Sequence, residues 1–154
     1  MSKPLEYLVI HCTATPEGRE VSSEEIRHWH TDPVSKGGRG WKQVGYTDMI
    51  HLDGRVERLV RNNEDAQVDP WEITNGAKGY NAMSRHVVYV GGLDVTGKPC
   101  CTLTLAQEEA LRQYVVDFHS RFPKVKIIGH REVAATACPS FDVQAWLKET
   151  GINQ

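Results

Sequence analysis

The chain has 154 residues, 40% of them hydrophobic and 25% charged, with a formal net charge of −2. That length suits one domain around one core, and so ordinary a composition excludes a disordered or fibrous chain. The small charge gives no reason to expect nucleic acid or an anionic membrane as a partner, and no apolar run approaches the ~20 residues needed to span a bilayer.

The chain opens Met-Ser-Lys-Pro-Leu-Glu-Tyr and passes straight into a strand, without the apolar stretch and cleavage site of a secretory signal, so synthesis in the cytoplasm is expected. Cys12, Cys100, Cys101 and Cys138 are then expected as thiols. Residues 5–12 alternate as a strand does, so His11 and Cys12 point to opposite faces and only one of them can be the ligand. Ser22-Ser23-Glu24-Glu25 has capping-box spacing and predicts a helix that carries Ile26, Trp29 and His30 inward and stops before Pro33. Gly37-Gly38-Arg39-Gly40 is a loop.

Val44–His51 is strand-like, and Asp53-Gly54 turns it into a hairpin with Arg55–Val60. Residues 62–82, broken by Pro70, Gly76 and Gly79, read as a long surface loop of the kind that carries binding residues. Val87–Val90 is a short buried strand ended by Gly91-Gly92. Thr104 and Gln107 form a second capping box, followed by Leu111, Tyr114, Val115 and Phe118 on one helical face. Val125–Ile128 is a further strand, and Ser140 is the expected cap of a last helix containing Val143, Trp146 and Leu147. The mixture predicts an α/β fold: one domain over residues 1–154, with a central mixed β-sheet flanked by helices.

Three separated residues suggest chemistry. His11 ends the first strand, and His130 and Cys138 bracket a loop that leaves the strand at Ile128. Two imidazoles and a thiolate are a zinc ligand set that leaves the fourth tetrahedral position open to water or substrate, as a catalytic site requires. A lone His and a lone Cys are more often packing or surface residues, so the surrounding sequence has to supply the specificity. His28, His51, His86 and His119 have no partners at ligand spacing and are assigned to surface or core, and Cys100-Cys101 lacks the second pair that a zinc finger needs. His30 and Trp41 are candidates to line a cleft, with the core as the alternative for Trp29 and Trp41.

Four segments carry a resemblance. They are Val9-Ile10-His11-Cys12-Thr13-Ala14-Thr15, Gly40-Trp41-Lys42-Gln43-Val44-Gly45-Tyr46, Lys78-Gly79-Tyr80-Asn81 leading to Val90-Gly91-Gly92, and Gly129-His130 through Ala137-Cys138-Pro139-Ser140-Phe141-Asp142. In this order they resemble the zinc-dependent N-acetylmuramoyl-L-alanine amidases, a family that includes phage lysozyme-type amidases and the animal peptidoglycan recognition proteins. The resemblance implies that fold, Zn²⁺ held by His11, His130 and Cys138, and Tyr46 as a catalytic residue beside the metal. Thr136 stands where phage-type members carry lysine, as it does in catalytically active recognition proteins. A threonine hydroxyl can donate to an oxyanion but is a weak base, so the general base stays open, with Glu132 either a proton carrier or an exposed loop carboxylate. Two further departures are Thr47, where histidine is common after the tyrosine, and the Gly76-Ala77 region, where a histidine often precedes the Gly-Tyr-Asn segment.

The implied activity is hydrolysis of the amide between the lactyl group of N-acetylmuramic acid and L-alanine, in peptidoglycan or in muropeptides, by a monomeric phage-type endolysin. It would reach the wall after release or delivery, or act on imported wall fragments. Relatives also include binding modules that do not cut, typically lacking the cysteine ligand, and regulators of an intracellular enzyme.

Overall fold

The structure is a computed structural model that describes residues 1–154. In chain order the elements are β1 (Lys3–Pro4), β2 (Tyr7–Cys12), β3 (Thr15–Pro16), α1 (Ser23–Thr31), β4 (Asp48–Ile50), β5 (Val56–Arg58), β6 (Gln67–Val68), β7 (Ser84–Tyr89), β8 (Gly92–Leu93), α2 (Leu105–Arg121), β9 (Lys126–Gly129) and α3 (Val143–Thr150). Five strands form the central sheet in the order β5-β4-β7-β2-β9. Three of its four pairings are parallel, and the fourth, β4–β5 at one edge, is the antiparallel hairpin that the Asp53-Gly54 turn closes. The α/β expectation of a mixed sheet with helices packed on it is met.

The two faces of the sheet are covered differently. On one, Leu8, Ile10 and Cys12 from β2 and Val87 and Tyr89 from β7 join Leu111, Val115 and Phe118 of α2 and Trp146 and Leu147 of α3 in the main core. Burial of such an aliphatic or aromatic side chain contributes about 1.5–3 kcal/mol, so this face holds most of the stability. On the other, a smaller cluster of Val21, Ile26, Val44, Met49, Val88 and Val90 packs beneath α1, with Trp29 and Tyr46 against it. Because β2 alternates, His11 faces the α1 side while Cys12 enters the main core, as the strand reading required.

Local sequence explains the helix starts. Ser22 caps α1 by accepting the Glu25 N–H at 3.1 Å, which turns Ile26 and His30, four residues apart, into the interior. The Thr104–Gln107 box is complete, with both reciprocal bonds present at 2.9 and 3.0 Å. The last helix is capped by Asp142, whose Oδ1 accepts the Ala145 N–H at 3.1 Å, and not by Ser140. Ser140 instead sits at φ 72° and donates its hydroxyl to Gly92 O at 2.8 Å, tying the preceding loop to β8.

Three strand expectations change. Of Val44–His51 only Asp48–Ile50 joins the sheet, because the Gly45 N–H donates to His30 Nδ1 and Val44 O accepts from Asn75. Strand β7 begins three residues before Val87, since each of its polar residues finds a partner inside: Ser84 donates to Tyr80 O, Arg85 to Asp65 O and Gln67 O, and His86 meets Asn81. The stretch 62–82 is not entirely loop, as β6 pairs with β1 and 3-10 turns occupy Pro70–Glu72 and begin at Asn81.

Candidate metal centre

At the carboxyl ends of β2 and β9 the chain opens a cleft of about 1100 Å³. Open parallel sheets bind ligands at these strand ends, where the backbone has finished pairing and the side chains are free to converge. His11 is the penultimate residue of β2, and His130 directly follows β9, its neighbour in the sheet. Their rings lie 4.6 Å apart, and Cys138 Sγ is 3.7 Å from His11 Nδ1. One ligand atom from each of His11, His130 and Cys138 lies within 4.8 Å of the others, whereas tetrahedral zinc needs roughly 3.3–3.8 Å between ligand atoms. Small side-chain rotations close that gap, so the donor set fits a zinc ion.

Cys138 is held by a loop with fixed ends. Its carbonyl accepts the Arg131 N–H at 2.7 Å, Tyr89 donates its hydroxyl to Pro139 O at 2.6 Å, and Cys12 N–H points at the sulfur at 3.2 Å. An N–H aimed at sulfur favours the thiolate, the form that binds metal. The hydrogen bond with Cys12 and then burial raise the Cys138 thiol above its ordinary value, so without metal it keeps its proton and a cation has to displace it. His11 is pushed well below the usual imidazole range, first by burial and then by the histidines around it, and His130 is lowered by burial. Both rings are therefore neutral at pH 7, as ligands must be.

The other cleft residues divide into hydroxyls, imidazoles and cations. Tyr46 lines the cleft with its ring 5.2 Å from that of His11, and burial keeps its phenol protonated far above the normal range. Thr136 lines the opposite loop, where its Oγ1 accepts the Cys138 N–H at 3.3 Å. His30, lowered to about 4 chiefly by burial, accepts the Gly45 N–H on Nδ1 at 2.9 Å, which places its single proton on Nε2. Arg39, Lys42 and Lys78 also line the cleft, Arg39 stacking over Trp41 at 5.1 Å, and no Asp or Glu is among the lining residues.

Glu132 lies outside that lining. Its carboxylate accepts the Gly129 N–H at 2.6 Å and the Gln144 amide at 3.1 Å, which is the exposed loop reading and leaves it no part in the cleft. His51 is buried between Glu20 and Glu57, and His28 pairs with Asp32 on the surface of α1. His86 is in the core, as assigned, but it also touches the site: its Nδ1 is 2.8 Å from His11 Nε2 and its Nε2 is 3.1 Å from Asn81 Oδ1. Ligand spacing could not reveal this contact. The parallel register, which sets His86 opposite Val9, is what brings it onto the His11 face.

The profile of the family described as N-acetylmuramoyl-L-alanine amidase matches residues 1–141. The endolysin of Enterobacteria phage K11 is 38% identical over 139 residues, covering 90% of this chain and 83% of that protein. The endolysin of Escherichia phage T7 is 37% identical over 141 residues, covering 92% and 84%. Among solved structures, the Ph2119 endolysin from a Thermus scotoductus bacteriophage superposes with a TM-score of 0.73 at 27% identity, covering 98% of this chain and 87% of that one. With a profile match over nine-tenths of its length and a His-His-Cys cluster lining its cleft, the chain belongs to the N-acetylmuramoyl-L-alanine amidase family.

Proposed function

We propose that residues 1–154 form one catalytic domain that holds zinc through His11, His130 and Cys138 and cleaves the lactyl–L-Ala amide with Tyr46 and Thr136 as hydroxyl donors. That the chain is a phage-type amidase acting on peptidoglycan follows from its family and its endolysin relatives. The observation that carries the finer reading is the convergence of three candidate ligand atoms, from β2 and from both ends of the 130–138 loop, within 4.8 Å. Bound there, zinc supplies Lewis acidity to the scissile carbonyl and to the attacking water.

The chain's own groups do the rest. Tyr46 is protonated and fixed beside His11, so it can donate to the oxyanion as the carbonyl becomes tetrahedral without reorganising. Thr136 donates from the facing loop, and its hydroxyl can do so while its oxygen still accepts the Cys138 N–H. The carboxylate-free lining with Arg39, Lys42 and Lys78 suits a substrate that carries carboxylates, as muropeptide stems do, and long-range attraction raises its local concentration. We further propose a monomer that meets the wall after release or delivery. No helix is long and apolar enough to cross a membrane.

The presence of Cys138 in the cluster favours hydrolysis over mere binding. Mass spectrometry of products from purified peptidoglycan and from isolated muropeptides tests the reading, and free L-Ala amino termini on the released peptides are expected. Metal analysis should find one zinc per chain in the parent and almost none in Cys138→Ser. Uncut substrate, or full zinc content in that variant, would overturn the corresponding half of the proposal.

A further inference from the structure

A histidine binds metal through a bare ring nitrogen, and one nitrogen of His11 is in hydrogen-bond contact with a ring 75 positions away. We propose that His86, held by Asn81, is a positioning residue that locks His11 in the tautomer whose Nδ1 faces the metal. The inference rests on His11 being a zinc ligand, and beyond that it uses only the hydrogen bonds on this side of the sheet.

The deduction begins at a backbone amide. The Ala77 N–H can only donate, and it meets Asn81 at 2.8 Å, so the atom it meets is the amide oxygen. That same Oδ1 lies 3.1 Å from His86 Nε2, which must therefore carry a proton. His86 is fully buried, and its ring faces Asn81 and His11 rather than a carboxylate, so the neutral ring with one proton is the form this site accommodates. Its Nδ1 is then an acceptor, and His11 Nε2, 2.8 Å away, has to donate to it. The remaining nitrogen of His11, Nδ1, is left bare and lies 3.7 Å from Cys138 Sγ. One peptide N–H thus sets the protonation of two rings in series.

The surroundings keep that series in place. His86 lies on β7, which has β4 on one side and β2 on the other, so its backbone cannot shift without breaking the sheet. Gly76 closes over the two rings: a Cβ there would come within 2.7 Å of His86 Nδ1, 2.9 Å of His11 Nε2 and 2.6 Å of Gly45 O. Only glycine lets the chain lie against this hydrogen bond. Thr47 borders the other side, its Oγ1 accepting the His86 N–H at 3.3 Å. Thr47 and Gly76 thus enclose His86 from its two sides. Partners that orient a ligating histidine are typically worth about 10–100-fold in metal affinity.

Nitrogen NMR on the full-length, chelator-treated protein reads the His11 tautomer directly, whether or not any variant folds. A protonated Nε2 with a bare Nδ1 is expected, and a protonated Nδ1 overturns the proposal. In chelator competition, His86→Leu should bind zinc about 10–100-fold more weakly. His86→Asn, whose side-chain oxygen can take the place of Nδ1, should recover most of that loss. A folded His86→Leu with the parent's affinity would also overturn it. His11→Ala, measured alongside, addresses the ligand assignment separately: unchanged zinc binding there sinks that assignment, while the tautomer result still judges the role of His86.

Discussion

The two faces of the central sheet are made by the same strands and behave as different materials. Toward α2 and α3, β2 and β7 present Leu8, Ile10, Val87 and Tyr89, a set defined by volume and apolar area. Toward α1 they present Val9, His11, His86 and Val88, in which imidazoles alternate with valines and each ring has a hydrogen-bond partner. The first face depends on the volume and shape of its side chains, whereas the second depends on which atom carries a proton. A slip of one residue in β2 would exchange the two, so the register that buries the core also aims the site.

The largest separation of the two faces is expected from Leu8→Ala. Leu8 is fully buried in the main core, and its truncation should cost about 2–5 kcal/mol in urea unfolding while the folded fraction keeps its full zinc content. Loss of zinc in step with stability would mean that the faces are not independent. Tyr46→Phe makes the opposite test, since it removes one hydroxyl and keeps the ring. Turnover should fall by about 10²–10³ with the thermal midpoint unchanged, and parent-like kinetics would reduce Tyr46 to a packing residue.

Acid should reach the α1 face first. Burial lowers His30 to about 4 and His86 to about 3 from an ordinary value of 6.5. Below pH 6.5 the unfolded chain takes up protons that these folded rings refuse, so stability falls with pH until the folded values are passed. Unfolding free energy measured from pH 7 to 4 should therefore decline, and His30→Gln should flatten part of the decline; an identical slope in that variant would remove His30 from the account. The smallest effect is expected at Thr136. Thr136→Val should slow turnover by about tenfold, the worth of one neutral hydrogen bond, while Thr136→Ser stays close to the parent. Equal rates in all three proteins would leave Thr136 with its loop bond to Cys138 alone.

How much of this was legible in the sequence depended on the range of the signal. Capping is read within four residues, and both the Ser22 start and the Thr104–Gln107 box are where the spacing put them. The cap of α3 was misplaced by two residues, because Ser140 and Asp142 are both good caps and only a distant partner, Gly92 on β8, claims Ser140. Strand β7 was read from Val87 because buried Ser84, Arg85 and His86 look like loop until their distant partners are known. The cluster of His11, His130 and Cys138 was visible since few residue types bind zinc and family motifs surround all three. His86 was not, because its relation to His11 lies in strand register, which no local pattern encodes.

The same cluster has a consequence for how the protein is made. His11 comes from the first strand of the sheet and Cys138 from the loop after the last, 127 residues later. Chains are synthesised from the amino terminus, and contacts of such long range form only after the intervening segments have folded. Every nascent or prematurely ended chain that stops before β9 therefore lacks two of the three cluster residues, along with the strand that supports them. The cluster is therefore assembled only in a chain that has been made almost to its end.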